Sequence, residues 1–400
     1  MKIAIDPPGS TRLAALPPLA LYVHIPWCVR KCPYCDFNSH AALGSSHERA
    51  GSLPEADYVA ALISDLEGLL PSVWGRRVSS IFIGGGTPSL FSAQAIDRLL
   101  ADVRARILVE PDAEITLEAN PGTVEAQRFR GYRDAGVNRV SLGIQSFDDA
   151  MLKALGRIHG GDEARRAIEV AQASFDNLNL DLMYGLPGQT LGMARADIEE
   201  GARFGTPHLS AYQLTIEPNT VFFSHPPALP AHDAAADMQA MVEETLAAAG
   251  FGHYETSAFA RPGHRCRHNL NYWMFGDYLG IGAGAHGKVS FPDRVVRHER
   301  IKQPREYMAA AGQGQSISAE RSVRAGELPF EFILNALRLV EGFPVELFGN
   351  RTGQPIAVIE RRLADAEAKG LLERDWQHIR PTRQGRLFLN ELLEEFLPDP

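Results

Sequence analysis

The sequence predicts an α/β fold, a parallel sheet with helices packed outside it, and two observations carry that expectation. Six short apolar, β-branched runs alternate with longer helical stretches. Consecutive βα units of this kind favour parallel strands joined by right-handed crossovers, which leaves a doubly wound sheet or an open, partial barrel. Polar and glycine-rich residues then recur at the ends of the runs, where a barrel gathers a site at the C-terminal ends of its strands.

Taken in order, the first 20 residues, with Pro7-Pro8 and Pro17-Pro18, read as a flexible lead-in. Strands are expected at 21–25, 78–83, 114–118, 137–142, 177–182 and 208–214, and helices near 55–70, 92–107, 123–134, 161–174, 190–203 and 233–249. A glycine- and histidine-rich segment, 251–312, follows as an accessory part of a barrel domain spanning 21–312; it contains Gly280-Ile-Gly-Ala-Gly-Ala-His286. Residues 316–400 read as a second domain. Helix 356–369, a strand pair at 371–374 and 376–380, and helix 382–396 resemble a winged helix. Acids outnumber bases there, so a packing lid over the barrel is the better reading than a DNA-binding module.

Composition narrows the function classes. The chain is 45% hydrophobic and 22% charged, ordinary values for a protein with a sizeable core. A net charge of −9 with scattered bases argues against nucleic acid as a partner. No apolar run approaches the roughly 20 residues of a membrane span. Met1-Lys2-Ile3-Ala4-Ile5-Asp6 lacks the pattern of a secretory leader, so a cytoplasmic protein is expected.

Three of the four cysteines fall in one loop, Cys28-Val-Arg-Lys-Cys32-Pro-Tyr-Cys35, directly after the first strand. Such a set of soft thiolates holds an iron–sulfur cluster or zinc. Zinc would need a fourth ligand, with His40 or His24 as candidates, and the chain has no second cysteine knuckle. A [4Fe–4S] cluster on three cysteines leaves one iron open to a small amine and carboxylate chelator. Gly84-Gly85-Gly86-Thr87-Pro88 follows the second strand, and its glycines let backbone approach a ligand closely. Glu118 and Asp181 supply acceptors for an ammonium or for ribose hydroxyls, and Arg157 is suited to fork onto a carboxylate. Alone, the glycines are an ordinary tight turn and each charge an ordinary ion pair. On successive strands behind this cysteine loop, they read as one site.

The run Tyr22-Val-His-Ile-Pro-Trp-Cys28 through Cys35-Asp36-Phe37, with Gly-Gly-Gly-Thr-Pro, Leu117-Glu118-Ala-Asn120-Pro, Ser141-Leu-Gly-Ile-Gln145 and Asp181-Leu-Met-Tyr-Gly-Leu-Pro-Gly-Gln189, resembles the HemN-like family of radical S-adenosylmethionine (SAM) proteins. The resemblance covers about residues 20–400. It implies a partial (β/α)6 barrel, a [4Fe–4S] cluster on Cys28, Cys32 and Cys35, and SAM contacts at Tyr22, Tyr34, Gly85, Gly86, Thr87, Glu118, Gln145, Arg157 and Asp181. One branch of that family, the oxygen-independent coproporphyrinogen III dehydrogenases, has a fourth cysteine where this chain has Phe37. The substitution shifts the expectation from porphyrinogen oxidase toward the branch of heme chaperones.

Cys266-Arg-His268-Asn269-Leu-Asn-Tyr272-Trp273 resembles the heme-associated H-N-x-x-Y-W motif of that branch. An imidazole or thiolate can ligate heme iron, and aromatic faces pack on a macrocycle. The axial ligand stays open among His268, Cys266 and His286, with Asn269, Tyr272 and Trp273 around it; a histidine capping a loop above a packed Tyr–Trp pair is the structural alternative. The resemblance implies a heme carrier that delivers heme to respiratory proteins, at the inner membrane face, and a flavodoxin- or ferredoxin-type electron donor if SAM is cleaved. Monomer and cluster-linked dimer both stay open. The competing expectations are coproporphyrinogen III decarboxylation and a zinc-stabilised binding protein.

Overall fold

Apolar runs buried on both faces make the sheet. In β1 (Leu19–Ile25) every residue but Tyr22 is buried, the pattern of a parallel strand covered on both sides. The computed structural model describes residues 12–42, 53–123 and 125–398. Its parallel core is β1, β2 (Arg77–Gly85), β3 (Leu108–Ala119), β4 (Arg139–Gln145), β5 (Leu178–Tyr184) and β6 (His208–Gln213), each hydrogen-bonded to the next. Helices α1 (Glu55–Leu69), α2 (Ala93–Arg106), α3 (Ala126–Asp134), α4 (Gly161–Gln172), α5 (Leu191–Arg203) and α6 (His232–Ala248) fall within a few residues of the expected spans. Local chemistry sets several starts: the Ser92 hydroxyl accepts from the Ala95 N–H, and Thr190 accepts from Met193. Helix α4 turns Ala164, Ala167, Ile168 and Ala171 inward, a small-residue stripe that lets it lie close to the sheet.

The rest of the sheet departs from expectation. The segment 251–312 is divided between its two edges. Strands β7 (Gly252–Glu255) and β8 (Ala258–Ala260) add antiparallel beside β6. The chain then crosses through a short helix, α7 (Arg267–Trp273), to β9 (Asp277–Ile281), which pairs parallel with β1 as a seventh parallel strand. Strands β10 (His286–Ser290), β11 (Val295–Arg300) and β12 (Ile317–Ser322) continue the sheet antiparallel, giving twelve strands. The expected boundary at 316 falls just before β12; the second hydrophobic core, around Phe332, Phe343, Phe348, Leu363 and Leu392, also takes in Phe275 and Val295 from before that strand. What anchors β9 is invisible in a hydrophobic pattern. Asp277, fully buried, receives Lys288 Nζ at 2.8 Å and Arg76 Nη2 at 2.9 Å, so a charged residue starts an interior strand.

The C-terminal unit contains the expected helix Glu360–Ala368, strands Leu372–Arg374 and His378–Pro381, and a final helical stretch broken into Arg383–Leu387 and Leu389–Glu394. It is fastened to the barrel at β7 and at the segment after β8. The Val340 N–H donates to the Tyr254 carbonyl at 3.1 Å, and Arg265 forks onto Glu341 at 2.7 and 2.9 Å. Of the expected lead-in, residues 1–11 lie outside the described residues, while Leu13 is buried and its N–H donates to Pro292.

Candidate functional site

The interior of the partial barrel is polar. Thr116, Arg139, Ser141, Asn179, His208 and Ser210 are all buried along β3 to β6. Asn179 organises them: its Nδ2 donates to Ser141 Oγ at 2.7 Å and Asp181 Oδ1 at 2.9 Å, and its Oδ1 meets His208 Nδ1 at 2.6 Å. Ser141 Oγ donates to the other Asp181 oxygen at 2.7 Å. This floor fixes a carboxylate at the base of a cavity of about 400 Å³ that opens at the C-terminal ends of the strands.

The cysteine loop forms the opposite wall. Trp27–Cys28 pairs with His40–Ala41, which closes the loop on itself. Asn38 then clamps it, donating from Nδ2 to the Ala283 and Lys302 carbonyls at 2.8 Å each. All three loop thiols line the cavity, half-buried. Burial pushes the Cys28 and Cys35 thiols up, against lowering hydrogen bonds from Thr87 and Ser39, so loading with a metal releases protons. Among the described residues no three His, Cys, Asp or Glu side chains converge to hold a single ion, and neither expected zinc partner joins the thiols. His24 spends one ring nitrogen on Tyr22 OH at 2.9 Å and the other on the Asn38 carbonyl at 2.8 Å; His40 Nε2 meets Asn38 Oδ1 at 3.2 Å.

Eight of the nine residues expected to contact SAM line this cavity: Tyr34, Gly85, Gly86, Thr87, Glu118, Gln145, Arg157 and Asp181. The glycines are required by space. A Cβ on Gly86 would stand 2.5 Å from the Trp27 carbonyl oxygen, and Gly85, at φ +115°, would put one 2.6 Å from the His24 ring. Gln145 sits at φ +68°, a strained conformation for a side-chain-bearing residue and a mark of a site. Glu118 accepts from the Gly85 N–H at 3.1 Å; burial, with the Asp181 charge beside it, pushes its carboxyl up to about 8. Burial also raises Asp181. Tyr22 is the exception. Its hydroxyl is tied to His24 and its ring stacks on Phe82 at 6.3 Å, so it supports the site without lining it.

The chemistry of the donors suits the cofactors: thiolates at one end, two carboxylates at the other for an ammonium and hydroxyls, and a guanidinium between them. Among the described residues, the buried Arg157 Nε has no hydrogen-bond partner. Several cavity residues escaped sequence reasoning. Tyr212 and Gln213 end β6, and Leu214 and Thr215 follow it, all in the cavity wall, and Asn120 holds Thr87 Oγ1 at 2.8 Å. Their signal was their place at the end of a strand, the same position that exposed Glu118 and Asp181.

The heme ligands expected at Cys266 and His268 are both deeply buried. His268 lies on α7 and Cys266 just before it, and Glu114 sets a carboxylate at the positive end of that helix. Glu114 accepts the Arg267 and His268 N–H groups at 3.2 Å and the Cys266 thiol at 3.4 Å. Burial with that carboxylate pushes the Cys266 thiol up to about 12 and burial pushes His268 down to about 3, so both are neutral. His268 spends Nδ1 on Ser80 Oγ at 3.0 Å and Nε2 on Tyr272 OH at 3.1 Å, with its ring against Phe82. Tyr272 packs edge-on against Tyr278, and Trp273 lies under the Arg338 guanidinium at 5.1 Å; both, like Asn269, are half-buried. Of the three candidate axial donors only His286, at the start of β10, is exposed.

Fold and site together define a protein of the radical SAM class. The profile of the Radical SAM superfamily matches residues 22–200, and that of the HemN C-terminal domain matches 325–388. The heme chaperone HemW of Escherichia coli is 52% identical over 389 residues, covering 97% of this chain and 100% of that protein. HemW of Haemophilus influenzae is 48% identical, covering 96% and 99%, and that of Bacillus subtilis 33%, covering 94% and 98%. The chain belongs to the HemW family of that superfamily. Among solved structures, coproporphyrinogen III oxidase HemN from Escherichia coli shares the fold, with a TM-score of 0.78 at 23% identity over 95% of this chain and 90% of that one.

Proposed function

We propose that this protein is a heme-binding chaperone built on a radical SAM scaffold. The full-length identity of 52% to a heme chaperone carries the reading, and Phe37, exposed at the cavity wall in place of a fourth cysteine, agrees with it. Cys28, Cys32 and Cys35 would hold a [4Fe–4S] cluster. Glu118, Asp181 and Arg157 would bind the charged ends of SAM, with Gly85 and Gly86 admitting it closely. When reduced, the cluster supplies one electron for SAM cleavage, and the electron would come from a flavodoxin- or ferredoxin-type donor. The chain's own contribution is position: carboxylates fixed by Ser141, Asn179 and the Gly85 N–H, and a guanidinium fixed by Asn120 and Gly143.

His286 is the donor we assign to heme iron, since Cys266 and His268 are consumed in the barrel. Delivery is to respiratory heme proteins in the cytoplasm or at the inner membrane face; no helix among the described residues is long and apolar enough to cross a membrane. The test is anaerobic. After cluster reconstitution, heme titration is run beside turnover of coproporphyrinogen III with SAM and reductant. Stoichiometric heme binding without carbon dioxide release is expected; steady decarboxylation without heme retention would overturn the reading.

A further inference from the structure

Arg157 follows the short helix Asp149–Ala154 and crosses the barrel mouth to the cysteine loop. Its Nη2 donates to Asn120 Oδ1 at 2.5 Å and to the Gly143 carbonyl at 2.9 Å; its Nη1 donates to Cys32 Sγ at 3.6 Å. The plane of the guanidinium is thus fixed at two points before it meets the sulfur. Gly143 makes the approach feasible, since a Cβ there would stand 3.0 Å from Asn120 Oδ1 and 3.6 Å from Nη2. The loop is braced on the same side: Gly156, at φ +68°, leaves room for the Pro33 ring, and the Phe222 N–H donates to the Pro33 carbonyl at 3.0 Å. An arginine stays charged even when buried.

We propose that Arg157 tunes the reduction potential of the bound cluster through its hydrogen bond to Cys32. Hydrogen bonds to ligating sulfurs, and net charge beside them, are among the factors that set such potentials. A cationic donor at a cluster thiolate draws electron density from the sulfur and favours the reduced state, which carries one more negative charge. Arg157 is here a positioning and tuning residue. The proposal rests on the three thiolates being cluster ligands, and iron and sulfide content tests that separately.

The full-length chain, reconstituted anaerobically without SAM, is titrated with redox mediators and the reduced cluster is read by electron paramagnetic resonance. Arg157→Gln is expected to retain iron and sulfide and to make the one-electron reduction about tenfold less favourable, a shift of about 59 mV to more negative potential. Arg157→Lys, which keeps the charge without the fork, should shift by less. Asn120→Asp sets a carboxylate against the guanidinium with Arg157 still present, and should shift the midpoint in the same direction. An unchanged midpoint in Arg157→Gln with full cluster content overturns the proposal. Should that variant lose its iron, Asn120→Asp decides: a negative shift supports the proposal and an unmoved midpoint defeats it. A packing role alone would lower cluster content and leave the midpoint in place. A wild-type chain that takes up zinc and no sulfide would overturn the cluster reading itself, and the proposal with it.

Discussion

Glu118→Gln gives the most quantitative test of the site. The carboxyl of Glu118 is moved from an ordinary 4.5 up to about 8, first by burial and then by the charge of Asp181. Between these values the folded chain holds a proton that the unfolded chain has released. Stability therefore falls as pH rises through that window. A shift of this size corresponds to about 5 kcal/mol in a dry site. Glu118 is half-buried and lines an open cavity, so solvent screening returns part of that, and about 2 kcal/mol is the expected loss between pH 5 and pH 8.5. Glutamine keeps the shape and stays neutral. In the ligand-free chain, Glu118→Gln should match wild type in urea denaturation at pH 5 and exceed it by about 2 kcal/mol at pH 8.5. A variant curve running parallel to wild type across the whole range would refute the assignment of a proton to Glu118.

Other perturbations have separate readouts. Cys32→Ser should abolish the cluster absorbance, because two remaining thiolates do not hold it; an intact spectrum would remove Cys32 from the ligand set. His268→Ala should cost about 2–4 kcal/mol in a denaturant titration, since it opens a cavity beside Phe82 and strips Ser80 and Tyr272 of a partner. Heme affinity should instead fall in His286→Ala, and an optical titration giving the reverse order would return the ligand to α7. Asp277→Asn leaves Lys288 buried beside a neutral group and should destabilise the barrel by about 3–5 kcal/mol, read as a lower Tm. A Tm unchanged from wild type would mean that this pair does not hold β9 in place.

The parallel core was legible because its strands are short runs rich in apolar and β-branched residues and its helices carry one apolar face. Val78-Ser-Ser-Ile-Phe-Ile83 and the Ile96, Leu99, Leu100 and Val103 stripe of α2 are examples. The strand-end logic located Glu118 and Asp181 but passed over Tyr212 to Thr215, since those residues form no motif and matter only through position. The strand β9 was hidden because Asp277 and Gly280 interrupt its pattern. Both are explained only by distant partners: Lys288 and Arg76 for the charge, and for the glycine the His286 carbonyl oxygen, which sits where a Cβ would stand. The surroundings of the H-N-x-x-Y-W segment were hidden for a related reason. Its histidine and cysteine have the chemistry of ligands, and nothing local in the sequence reveals that the Cys266 thiol meets Glu114, some 150 residues earlier, or that the His268 ring meets Ser80.

The clamp of Asn38 on Ala283 and Lys302 has a consequence in time. The thiols lie near the start of the chain, yet the loop that presents them is secured by carbonyls synthesised more than 240 residues later. Contacts so distant in sequence form late, after the costly closure of the intervening chain. On the ribosome, the cysteines emerge long before the wall that orders them, at a pace of roughly 5–20 residues per second. Secure cluster loading is thus an event of the nearly finished polypeptide, and fragments ending before residue 302 should present the thiols unclamped to oxidants and stray metals.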